Sequence, residues 1–94
     1  MEFSKSQIVL SKSGRDKGRM FIVLDTEPDF VLLADGKLRR VEKPKLKKTK
    51  HVSFVANTTG CIADKIISGE QLLNSEIRKQ LLNYTKGEFS LGER

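Results

Sequence analysis

The 94-residue chain holds one cysteine, one histidine, one tyrosine, two prolines and no tryptophan. A lone Cys61 excludes an intrachain disulfide. Cys61 and His51 together offer two ligands, too few to close a structural zinc site. The thiol is expected to be small and semi-buried. No apolar run approaches the length of a membrane span. The opening stretch MEFSKSQIVL has no apolar core of signal-peptide length, so a cytoplasmic protein is expected. Paired carboxylates, a nucleophile elbow and a phosphate-cradling GxxxxGK loop are also missing. With His51 set among lysines, as a surface imidazole, neither an enzyme nor a bound cofactor or metal is expected.

What the chain has in quantity is positive charge. Lys and Arg number 18 against 12 Asp and Glu, a formal +6 with pI near 9.7. Residues 1–55 carry 13 of the cations and 7 of the acids, whereas 56–94 carry 5 of each. Within the first part, Lys37 to Lys50 holds eight Lys/Arg and the single acid Glu42. Such a concentration favours an anionic partner, nucleic acid or an acidic surface.

The same first part reads as short strands. Ile8–Ser11 is a brief strand. Met20–Leu24 and Phe30–Ala34 are unbroken apolar runs rich in β-formers. Glu27-Pro28-Asp29-Phe30 is turn chemistry, because proline fixes φ and aspartate can bond the turn's own backbone. Asp35-Gly36 is a two-residue hairpin signal. It predicts a fourth strand over Leu38–Lys43, bulged between Leu38 and Val41 and ended by Pro44. His51–Val55 completes five strands, with Val52 and Phe54 on one face. Tight turns and close spacing predict a small antiparallel barrel over residues 7–55 within a unit spanning 1–55.

The period then changes. Residues 56–73 carry no clear repeat and are expected to form a linking loop. Leu73, Ile77, Leu81 and Tyr84 fall on one helical face and predict a helix over 74–85. Asn74 or Ser75 can cap it, and Lys86-Gly87 can stop it. Residues 86–94 are expected to be a frayed tail. Two strands apolar on both faces need cover outside as well as inside, and this helix can supply it.

The stretch SKSGRDKGRMFIVL places Arg15, Asp16 and Lys17 between Gly14 and Gly18. Two glycines let backbone approach a bulky partner, and Lys12, Arg15, Lys17 and Arg19 surround that approach. Amides near a glycine can add phosphate donors, and arginine suits bidentate phosphate contact. The candidate nucleic-acid-contacting residues are therefore Lys12, Gly14, Arg15, Lys17, Gly18 and Arg19. The basic run adds Lys37, Arg39, Arg40, Lys43, Lys45, Lys47, Lys48, Lys50 and His51. Sequence-specific reading of single strands needs exposed aromatics for stacking. Phe21, Phe30, Phe54 and Tyr84 fit core or cover positions, leaving Phe3 and Phe89 exposed near the ends. Recognition of the phosphate backbone and shape of folded RNA is expected instead, although residue type does not separate RNA from DNA.

The segment from Ile8 to Ala34 resembles the KOW motif, a strand–glycine loop–strand unit of ribosomal proteins and NusG-type transcription factors. Gly18 stands in the place of the motif's characteristic glycine. ADGKLRRVEKPKLKK resembles a segment of large-subunit ribosomal protein fourteen-e of archaea and eukaryotes. NSEIRKQL is similar to bacterial KOW-domain RNA-binding proteins of this size. The resemblance implies an SH3-like barrel with a C-terminal helix and an RNA-binding role on ribosomal RNA. It also implies an alternative, a module that binds an acidic or ribosomal protein surface. An accessory role in ribosome assembly is a third reading.

Overall fold

The computed structural model describes residues 3–93, with side chains described up to Leu82, and also for Tyr84, apart from 83. Five strands form one antiparallel sheet: β1 Gln7–Ser11, β2 Met20–Glu27, β3 Phe30–Ala34, β4 Lys45–Lys48 and β5 Val52–Asn57. Their order is β4-β3-β2-β1-β5. A 3-10 turn, Thr49–His51, joins β4 to β5. Two helices follow, α1 Cys61–Ser68 and α2 Asn74–Glu93. The β2–β3 turn falls at Pro28-Asp29 as expected, with Glu27 opposite Phe30.

Alternation along β1 and β2 sends neighbouring apolar residues to opposite faces. On one face Val9, Phe21 and Val23 pack with Val31, Leu33, Val52 and Phe3. On the other, Ile8 and Ile22 pack under Ile62, Ile66, Ile77 and Leu81 from the helices. Among the described residues no helix side chain joins the first cluster; strand residues and Phe3 make it up. Val31 and Leu33 on β3 and Val52 on β5, with two strands between them, are all fully buried on this face, so the sheet curls over it. Register shifts at Ile8/Val9 and Val23/Asp25 accompany that curl, since bulges sharpen twist.

Several expectations are corrected. The fourth strand is Lys45–Lys48, not Leu38–Lys43. The Asp35 carboxylate accepts from the amides of Lys37 and Arg39 and holds that segment as a loop. Pro44 therefore precedes the strand and does not end it. Residues 56–73 are not simply a linker, because α1 lies within them. Its Ile62 and Ile66, one turn apart, complete the outer cluster. Backbone bonds from Gly69 to Ile66 and from Glu70 to Lys65 close it. Lys65 Nζ donates to Glu76 Oε2 at 2.6 Å, tying α1 to the first turn of α2.

The face of α2 shifts slightly. Ile77 and Leu81 are buried and Tyr84 is half-buried, but Leu73 is exposed. Glu76 reaches back to the Leu73 amide, leaving Asn74 free to act elsewhere. Its Oδ1 accepts from the Val41 amide and its Nδ2 donates to Glu42. The helix runs to Glu93, through the expected stop and across the expected tail. A glycine such as Gly87 weakens a helix by about 1 kcal/mol without ending it. Phe3, expected to be exposed, is buried in the inner cluster. Phe54 is 48% exposed on the edge strand. Phe89 lies outside the described side chains. Cys61, at the start of α1, is exposed.

Gly36 locks the 35–44 loop to α2. Its φ is +76°, and an added Cβ would run into the Asn74 carbonyl oxygen. The same Cβ would press on Arg78 Cγ at 3.0 Å and Ile77 Cβ at 3.2 Å. Gly36→Ala is expected to cost about 3 kcal/mol, from left-handed backbone strain and overpacking together. A urea-unfolding midpoint equal to wild type would show that the helix does not press on this glycine.

Candidate nucleic-acid interface

The loop between β1 and β2 is fixed by its own backbone. Gly18 donates to the Ser11 carbonyl, Lys17 to Gly14, Arg19 to Asp16, and Ser11 to Arg19. Gly14 and Gly18 both have positive φ, +84° and +88°. The glycines thus let the loop fold back on itself, and this puts Asp16 inward.

Asp16 is the residue that sequence reasoning passed over. Its carboxylate is nearly buried and accepts from Ser11 Oγ at 2.7 Å, Lys47 Nζ at 2.9 Å and Lys45 Nζ at 2.9 Å. Burial alone pushes the carboxyl's pKa up. The hydrogen bonds from Lys45, Lys47 and Ser11 outweigh it and hold the group well below the usual carboxylate range. Lys47 also donates to the Ser13 carbonyl. The Arg-Asp-Lys tip between the glycines is thereby a clasp onto β4.

This clasp divides the basic run. Lys45 and Lys47 alternate to the same side of β4, towards Asp16; Leu46 and Lys48 lie on the other side. Lys47 is 7% exposed, so its charge is committed inside the protein. Lys12, Arg15, Lys17, Arg19, Lys37, Arg39, Arg40, Lys43, Lys48 and Lys50 are exposed, while His51 is half-buried. Arg19 lies 3.9 Å from Asp35, and Arg40 the same distance from Glu42. A backbone bond from Lys12 to the His51 carbonyl places the base of the glycine loop beside the 3-10 turn. No added Cβ at Gly18 would meet a neighbour, so the surface there is open.

Several exposed cations come together where the glycine loop meets the 35–44 loop. A cleft of about 310 Å³ there is lined by Arg15, Arg19, Arg39 and Lys45, with Phe21 and the exposed Leu38. Asp16 and Asp35 also line it, each already bonded to neighbouring donors. Lys48 and Lys50 border a different hollow, with Asp29 and Phe30.

No protein-family model matches the chain, and no curated protein matches it.

The chemistry of this surface follows from its donors. Three guanidinium groups around one cleft suit phosphate or carboxylate oxygens. Among the described residues no group of three His, Cys, Asp or Glu side chains is placed to hold a metal. No described helix is long and apolar enough to cross a membrane. Arg78 and Lys79, on the exposed side of α2, extend the positive surface beyond the sequence-derived set. Their position next to the glycine loop follows from the docking of the helix, which the local sequence around them does not encode.

Proposed function

We propose that this chain is a non-catalytic, cytoplasmic RNA-binding module of the KOW type, associated with ribosomal RNA and built on an SH3-like barrel. The curled five-stranded sheet and the 3-10 turn before its last strand support that barrel reading. The observation that carries the function is the cleft where Arg15, Arg19 and Arg39 meet between two loops. These side chains come from distant parts of the sequence and share one exposed opening, as contact with successive phosphates requires. Ordered backbone in both loops lowers the entropic cost of that contact. Lys12, Lys17, Lys37, Arg40 and Lys43 flank it on the same two loops.

Counterion release supplies the test. Each phosphate neutralised contributes roughly 0.7–0.9 to the slope of log affinity against log salt. Arg15→Gln combined with Arg39→Gln is expected to lower that slope by about 1.5 on a structured ribosomal RNA fragment. Lys47→Gln should leave the slope unchanged, because its ammonium is held by Asp16. An unchanged slope and affinity in the double arginine variant would remove the cleft from the interface. Co-purification before and after RNase treatment separates RNA from a protein partner.

A further inference from the structure

A second and larger hollow, about 680 Å³, lies between the glycine loop and α2. Its volume is within the range of sites that enclose a ligand. Met20, Leu81 and Leu82 give it an aliphatic lining, with Leu82 left 56% exposed. Around them stand Arg19, Lys37, Arg78 and Lys79. Among the described residues the one carboxylate there, Asp35, already accepts from the Lys37 and Arg39 amides and faces Arg19. The rim is therefore positive even after Asp35 is counted. Arg78 donates to the Gly36 carbonyl, which anchors its guanidinium and leaves further N–H groups for another acceptor. Among the described residues no aromatic ring lines the groove, so they offer a nucleobase no stacking platform.

We propose that this groove docks a short acidic peptide segment bearing a bulky apolar side chain. The apolar side chain sits on Met20, Leu81 and Leu82, and flanking carboxylates meet Arg19, Lys37, Arg78 and Lys79. Charge complementarity selects the segment, and the aliphatic lining supplies what charge alone does not. The groove is separate from the Arg15–Arg39 cleft apart from Arg19 and Asp35, so the proposal stands without the RNA reading.

Fluorescence anisotropy with two labelled peptides tests it: EEDLEDFLDE, and the same peptide with Leu and Phe replaced by Ser. The apolar version is expected to bind about tenfold more tightly, the gain from burying one large side chain. Leu82→Glu and Lys79→Glu, both at exposed positions, should each weaken it several-fold without lowering the melting temperature. Arg15→Gln with Arg39→Gln should bind it as wild type does, which keeps failure of this proposal distinct from failure of the RNA site. Equal binding of the two peptides, or indifference to Leu82→Glu, would overturn it. So would binding of single-stranded poly-uridine that Leu82→Glu abolishes, with no binding of the apolar peptide.

Discussion

Ile77→Asp is expected to unfold the protein at room temperature or bring it to the edge of unfolding. Ile77 is fully buried among Ile8 and Ile22 of the sheet, Ile62 and Ile66 of α1, and Leu81 of its own helix. Truncating a buried isoleucine to alanine costs about 2–5 kcal/mol, and an unpaired carboxylate at the same place adds its desolvation. The sum exceeds about 5 kcal/mol, against a total stability of about 5–14 kcal/mol for a chain of this size. Ile77→Val, which removes one methylene, is expected to cost only about 1 kcal/mol. A thermal melt followed by circular dichroism reads both. A melting temperature for Ile77→Asp within a degree of wild type would mean that α2 is not packed on the sheet.

Asp16→Ala carries the next largest effect, about 4 kcal/mol, because it leaves the Lys47 ammonium buried without a counter-charge. For a domain of this size that is a fall in melting temperature of about 15 °C or more. Replacing Lys45 and Lys47 by Met in the same variant should recover much of it, since an apolar cluster needs no counter-charge. The pH dependence has a definite sign. The folded-state pKa of Asp16 lies below its unfolded value, so its stabilisation is complete at neutral pH. It fades as pH falls below about 4, where the unfolded carboxyl begins to hold its proton. Wild type and Asp16→Asn should therefore differ widely in urea midpoint at neutral pH and converge in acid. A gap that stays constant from neutral to acid would show that the ion cluster contributes nothing.

The short apolar strand at Ile8–Ser11, the unbroken apolar runs of β2 and β3 and the Pro28-Asp29 turn were readable from sequence because each is a local preference. The need for outside cover was readable too, since the unbroken runs Met20–Leu24 and Phe30–Ala34 put apolar side chains on both faces. Strand β4 was not. Its buried position is Lys47 and its exposed one is Leu46, the reverse of ordinary patterning. Only the presence of Asp16, far away in sequence, makes that arrangement favourable. Helix α1 was hidden by its brevity, yet Ile62 and Ile66 one turn apart between Gly60 and Gly69 were a usable signal. The basic run looked uniform as a string, and only the fold separates Lys45 and Lys47 from the cations that remain outside.

Strand β4 is also one of the two ends of the sheet. A free strand edge invites pairing with another chain, and lysines on such an edge discourage it. Lys45 and Lys47 turn to Asp16, so Lys48 is the exposed charge on that edge. Neutralising Lys48 to probe RNA contact would thus also expose Leu46 on a less repulsive rim. Variants of this strand are expected to self-associate as concentration rises, and light scattering beside each titration will register it.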